Sequence, residues 1–252
     1  MLDKCLSLVQ SRHLCKAGQC EQVPVTCSNY RKGGICIART KRLWYRGATY
    51  HVMARGIRRS SIYLSPEDHI VFLKILDDIR KDMHVTIHSF CLMTNHFHLL
   101  ISTEDFEIWK IMSYLLTHYA KYFNCRHNYS GHVFDSRYYS VLIENSHQFM
   151  VTSRYIHLNP VKAHIVSNPE DYAYSSYGFY AGKPYNDLRE NGFCGIGELV
   201  CRQKLYSYLS SAYPACNTAV KYQKYVFTPD SQDEAEAKIQ KVFRENDYGM
   251  PA

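Results

Sequence analysis

Two histidines one residue apart, His96 and His98, lie in the run Thr94-Asn95-His96-Phe97-His98-Leu99-Leu100. In an extended strand, side chains two apart share a face. Phe97, Leu99 and Ile101 then occupy the other face and suit a core. Such a strand offers two imidazole nitrogens to one metal ion without bending the backbone. The spacing by itself fits equally a pair of half-buried histidines hydrogen-bonded to their neighbours. A second cluster is Ser153-Arg154-Tyr155-Ile156-His157-Leu158-Asn159-Pro160-Val161. On a helix Tyr155 and Asn159, four apart, lie on one face. A Tyr hydroxyl there can attack phosphorus, and Asn159 has a carbonyl oxygen for a third metal bond or for orienting a water. Pro160 disfavours helical geometry at the residue before it, so Asn159 as the cap of a helix end is the competing reading.

Those clusters need a strand and a helix to hold them, and the pattern around them supplies both. Ala48 to Ala54 is β-prone and ends at Arg55-Gly56. Ser65-Pro66-Glu67-Asp68 starts a helix: a Ser cap, Pro at the first position, then acids at the positive dipole end. Ile70, Leu73, Ile75, Leu76 and Ile79 give it an apolar face. His84 to Leu92 and His96 to Ile101 read as strands separated by a turn at Thr94-Asn95. A longer helix follows from Glu104 to about Asn124, with Tyr119 and Tyr122 on its inner side by helical spacing. Arg137 to Ile143 is a fourth strand. Ser146 caps a further helix that carries Tyr155 and stops near Leu158, before Pro160. Strand, helix, strand, strand, helix, strand is the split βαβ order. The expected fold is α+β and ferredoxin-like: a four-stranded antiparallel sheet with helices on one face, plus the helix bearing Tyr155.

Charge suggests what such a site meets. The chain of 252 residues carries 30 Lys and Arg against 23 Asp and Glu, a net +7. No acid occurs between Glu21 and Glu67, while Arg31, Lys32, Arg39, Lys41, Arg42, Arg46, Arg55, Arg58 and Arg59 all fall there. A block of one sign favours a polyanion through phosphate contact and counterion release. It also fits a solvated basic face with no partner. Arg55, Arg58 and Arg59 are the expected phosphate contacts within the block. The 22 Tyr suit stacking on bases or an aromatic core.

Five of the 10 Cys (Cys5, Cys15, Cys20, Cys27, Cys36) precede residue 40, with no CxxC pair anywhere. There is no apolar leader, and no apolar run approaches the roughly 18 residues a membrane span needs. The expectation is a cytoplasmic protein with reduced thiols and no membrane partner. Residues 1–38 read as a poorly structured extension, 39–182 as the catalytic domain, and 183–252 as a helical extension with segments near Glu198 to Ala212 and Asp233 to Arg244.

Taken together and in order, Leu92-Met93-Thr94-Asn95-His96-Phe97-His98-Leu99-Leu100 and Arg154 to Val161 resemble the REP-associated tyrosine transposases and their insertion-sequence relatives. These are single-tyrosine nucleases named for a His-hydrophobic-His motif. Trp44 to Gly56, Tyr119 to Asn124, Gly131 to Tyr138 and Ser175-Ser176-Tyr177 match as well, so the likeness runs from about Ala38 to Ala181. The resemblance implies that His96 and His98 hold Mg²⁺ or Mn²⁺. It implies that Tyr155 is the nucleophile, leaving a 5′-phosphotyrosine and a free 3′-OH on single-stranded or hairpin DNA, by a monomer or homodimer. In the insertion-sequence relatives a Gln four residues after the Tyr completes the metal site; here Asn159 stands there with a shorter reach. The family carries Gln-Gly where this chain has Asp135-Ser136, beside Arg137, a candidate phosphate contact. Arg154, next to the nucleophile, is a further candidate for DNA contact and for activating it. Two other functions remain: a domesticated protein that binds hairpin DNA without cutting, and a zinc protein built on His and the N-terminal Cys.

Overall fold

A computed structural model describes residues 42–182, 199–205, 207 and 226. The expected extension over 1–38 lies outside them, as does the expected helix near Asp233 to Arg244. Of the expected segment near Glu198 to Ala212, residues 203–205 and 207 are helical within the described part.

The strands are β1 (Ala48–Arg55), β2 (Val85–Met93), β3 (His96–Thr103) and β4 (Tyr139–Ile143). The helices are α1 (Pro66–Asp82), α2 (Ile108–His127), α3 (Ser146–Lys162) and the short α4 (Tyr177–Ala181). All strand pairs are antiparallel, in the order β2-β3-β1-β4. This is the expected split βαβ sheet. Phe97 of β3 packs on Phe72 of α1 at 4.8 Å between ring centroids, and Phe72 meets Tyr119 of α2 at 5.1 Å. Helices α1 and α2 therefore cover one face, with Tyr119 and Tyr122 in the core as their spacing predicts. Helix α3 lies across the other face, where Tyr155 meets β3.

Local chemistry explains the element ends. The Asp68 carboxylate accepts the N–H groups of Leu64 and Ser65 at 2.7 and 2.9 Å, closing the start of α1. The cap of α3 is Asn145 rather than Ser146: its Oδ1 accepts the Gln148 N–H at 2.8 Å, while Gln148 Oε1 accepts from Glu144 N. Pro160 does not stop α3, which continues to Lys162. Ala163 N–H reaches Asn159 O and Ile165 N–H reaches Pro160 O, so the last turn closes despite the missing donor at 160.

The outer edge of β2 is covered. Leu92 N–H donates to Tyr174 O, Ser176 N–H to Phe90 O and Cys201 N–H to Ile87 O. An open edge would pair with another chain, and these contacts remove that hazard.

Candidate active site

The register of the two central strands builds the site. Met53 lies opposite His98 and Arg55 opposite His96. Phe97 and Leu99 are spent on the core, so His96 and His98 both face α3, as period-two alternation requires. Tyr155 comes down from α3 with its ring centroid 5.6 Å from that of His98, edge to face. His96 and His98 are 5.0 Å apart between centroids and nearly perpendicular. One chain thus supplies both histidines and the tyrosine.

A third histidine completes the cluster. His51 of β1 stacks on His98 at 5.2 Å, and its Nε2 lies 3.0 Å from His98 Nδ1. Its ring is also 5.9 Å from Tyr155. Nothing in the local sequence around His51 singles it out. Alternation in Tyr50-His51-Val52-Met53 puts His51 on the face of Met53, but only the strand register reveals that this face meets His98.

The histidines are fixed from behind. His96 Nδ1 is 2.6 Å from Asn95 Oδ1, an oxygen that only accepts, so Nδ1 carries the proton and the Nε2 lone pair is left. His96 Nε2 is buried and has no hydrogen-bond partner among the described residues. Burial drives the imidazole pKa values down: His51 to about 3, His96 to about 4 with help from the Arg55 charge, and His98 well below its usual range. All three are neutral near pH 7, the form that binds a metal ion. The buried lone pair and neutral imidazoles fit a divalent cation. Among the described residues no group of three His, Cys, Asp or Glu side chains is arranged to hold one. Two histidines therefore need an amide, water or phosphate oxygen beside them. The N-terminal Cys of the zinc reading lie outside the described residues, among which Cys91, Cys125 and Cys201 form no disulfide.

Asn159 is 7 % exposed, and its Nδ2 donates to Tyr155 O at 2.8 Å. Its amide nitrogen thus braces the helix carbonyl of Tyr155. Only its carbonyl oxygen has lone pairs for a metal.

The arginines separate into three settings. Arg55 is largely buried and pairs with Asp135 at 3.4 Å. Arg58 and Arg59 are exposed in a 3-10 turn after β1, both with left-handed backbone (φ 52° and 60°). Arg137 is exposed on the loop before β4. Arg154 is only 5 % exposed, against its expected place on DNA. An immediate helical neighbour of Tyr155 is turned roughly 100° around the axis, and here that turn leads into the protein.

The site is closed. His96, His98, His51 and Tyr155 are each at most 2 % exposed beneath α3. On its inner side α3 is held by hydroxyl contacts: Ser153 Oγ to Ser89 Oγ at 2.7 Å, and His157 Nε2 to Ser176 Oγ at 2.6 Å.

The family pattern of the IS200-like transposases matches residues 45–159, a span that starts before β1 and ends on Asn159. Residues 45–159 are thus similar to an IS200-like transposase domain. Among solved structures, the chain is similar to a REP-associated tyrosine transposase bound to a REP hairpin. Identity is 17 %, over 60 % of this chain and 90 % of that one, with a TM-score of 0.49. It is also similar to a protein from Deinococcus radiodurans R1 provisionally named a transposase, at 18 % identity over 47 % of this chain and 95 % of that one, TM-score 0.35. No curated protein matches the chain. The matched span contains all the strands and the tyrosine-bearing turn of α3. No described helix is long and apolar enough to cross a membrane.

Proposed function

We propose that residues 45–159 form a transposase domain that cuts and rejoins single-stranded, hairpin-bearing DNA through a covalent tyrosine link. The observation that supports this most is the convergence of His96, His98 and Tyr155 in one chain around a buried imidazole lone pair. His96 through Nε2, His98 through the nitrogen turned away from His51, and the Asn159 carbonyl would hold Mg²⁺ or Mn²⁺. The bound ion supplies a Lewis acid that polarises the scissile phosphate and offsets charge in the transition state.

The phenolic oxygen of Tyr155 forms a bond to phosphorus as the bond from phosphorus to the 3′-oxygen breaks. The phenolic proton passes to a base in solution, and the leaving oxygen takes up a proton to become a 3′-OH. The phosphotyrosine keeps the energy of the phosphodiester, so attack by a 3′-OH reseals the strand without ATP. An unperturbed Tyr has a pKa near ~10 and needs help to ionise. Lys162 holds its Nζ 5.4 Å from the centre of the Tyr155 ring, a cation–π contact that helps to fix the ring. Arg55, Arg58, Arg59 and Arg137 are proposed to meet phosphates; buried Arg154 is not.

The 2 % exposure of Tyr155 favours one competing reading, a hairpin-binding protein that does not cut. A single experiment separates the two. The protein is incubated with a single-stranded hairpin oligonucleotide and Mn²⁺, and adducts are resolved on a denaturing gel. Wild type is expected to give a covalent adduct that Tyr155→Phe and a chelator each abolish, with DNA binding retained by the variant. DNA binding with no adduct from wild type would leave the binding protein standing.

A further inference from the structure

On the opposite side from the histidine cluster, α2 and the 131–138 loop enclose a groove of about 800 Å³. One wall is a stripe of α2 running from Trp109 past Leu116 to Lys121; the other is the loop, with Asp135 and Arg137. Arg42 closes one end, its guanidinium 4.5 Å over the Tyr138 ring and bonded to Tyr138 O. Three cations thus face the groove. Among the described residues its single acid, Asp135, is already matched by Arg55 at 3.4 Å. Trp109 is 51 % exposed, unusual for so large an apolar ring, and its Nε1 is anchored to Glu107 at 3.0 Å. The anchor fixes the indole while leaving ring surface to solvent.

The groove is also tied to the reactive end of the sheet. Ile57 N–H donates to Val133 O and Asp135 N–H donates to Arg55 O, both at 2.9 Å. Arg55 is the register partner of His96. The same short segment of β1 therefore borders both the groove wall and the histidines.

Positive charge along a trough with an exposed aromatic ring is the chemistry that holds unpaired nucleotides, since every base has a face to stack and every phosphate a charge. A duplex hides its base faces, and an acidic peptide has no use for the indole. We propose that this groove takes unpaired nucleotides of the DNA substrate, bases against Trp109 and phosphates against Arg42, Lys121 and Arg137. The inference rests on the reading that the domain acts on single-stranded DNA, and adds where the strand lies.

Trp44 and Trp109 are the two tryptophans of the chain, so a Trp44→Phe protein reports from Trp109 alone. Fluorescently labelled oligo-dT is titrated in, and anisotropy and indole emission are read together. Binding is expected to quench Trp109 in step with the anisotropy, whereas a matched duplex leaves the emission unchanged. Trp109→Ala is expected to weaken single-strand binding on the order of tenfold. Lys121→Ala is expected to lower the slope of log affinity against log salt by about 0.7, one phosphate's share. Anisotropy showing binding while Trp109 emission stays flat, or a duplex quenching as well as the single strand, overturns the groove and leaves the broader reading intact. No single-strand binding by anisotropy overturns both.

Discussion

His51 Nε2 and His98 Nδ1 are 3.0 Å apart inside a closed pocket, and one of the two must carry the shared proton. If His51 donates, neutral His98 keeps its proton on Nε2 and cannot ligate through that atom. If His98 donates, its Nε2 lone pair is released. A metal ion at His98 Nε2 therefore selects the tautomer in which His51 is the acceptor. Replacing His51 by Ala is expected to weaken Mn²⁺ binding to the DNA-free protein by about 10- to 100-fold. His51→Gln, which retains an acceptor, should recover part of the loss. The free-Mn²⁺ signal in electron paramagnetic resonance reads this directly, and an unchanged dissociation constant for His51→Ala would sink the argument.

Asn159 serves the helix with its nitrogen and is proposed to serve the metal with its oxygen. Asn159→Ala removes both, and is expected to cost about 0.5–1.5 kcal/mol of stability for the lost bond to Tyr155 O. Asn159→Asp keeps an oxygen but loses the donor. It should unfold as easily as the Ala variant while binding Mn²⁺ at least as well as wild type. Equal Mn²⁺ affinity in all three proteins would confine Asn159 to a bracing role.

Phe97 separates His96 from His98 and fills the opposite face, fully buried against Phe72. Phe97→Ala is expected to destabilise the fold by about 3–5 kcal/mol, as truncation of a buried aromatic does. Urea unfolding followed by circular dichroism measures it. A loss below about 1 kcal/mol would mean that the core relaxes into the space.

Acid should unfold this protein early. His69, His88 and His157 are buried, with pKa values pushed by desolvation to about 4, about 3 and about 3. Unfolded, each binds a proton below about 6.5. Between those values the unfolded chain holds more protons than the native one, so stability rises with pH across the window. The contribution is complete above about pH 6.5 and is lost on acidification toward about pH 4 for His69 and about pH 3 for His88 and His157, at most about 1.4 kcal/mol per pH unit for each. The urea midpoint is expected to fall between pH 7 and pH 5, and less steeply in His157→Phe. A midpoint flat over that range would contradict the burial of these rings.

Most of the framework is written in local patterns. Ser65-Pro66-Glu67-Asp68 starts a helix through caps and dipole alone, and alternation through Phe97, Leu99 and Ile101 fixes which way His96 and His98 point. The departures come from contacts that local pattern does not hold. Asn145 outcompetes Ser146 as a cap because Gln148 reaches back to Glu144 N. Pro160 stays within α3 because bonds to Asn159 O and Pro160 O close the turn behind it. His51 joins the site only because β1 pairs with β3 in one register, and Arg154 leaves it because the helix rotates it inward. Each is a matter of pairing or packing between segments distant in sequence.

The burial of Tyr155 and the histidines under α3 has a consequence for timing. On the proposed mechanism, an ion or a phosphate would meet these groups only through an opening of this cover. Apparent affinity for either is then the intrinsic affinity scaled by the open fraction. A strand drifting past finds no exposed nucleophile, whereas one lodged long enough to coincide with an opening does. On that mechanism, residence time as much as sequence would decide which DNA is nicked.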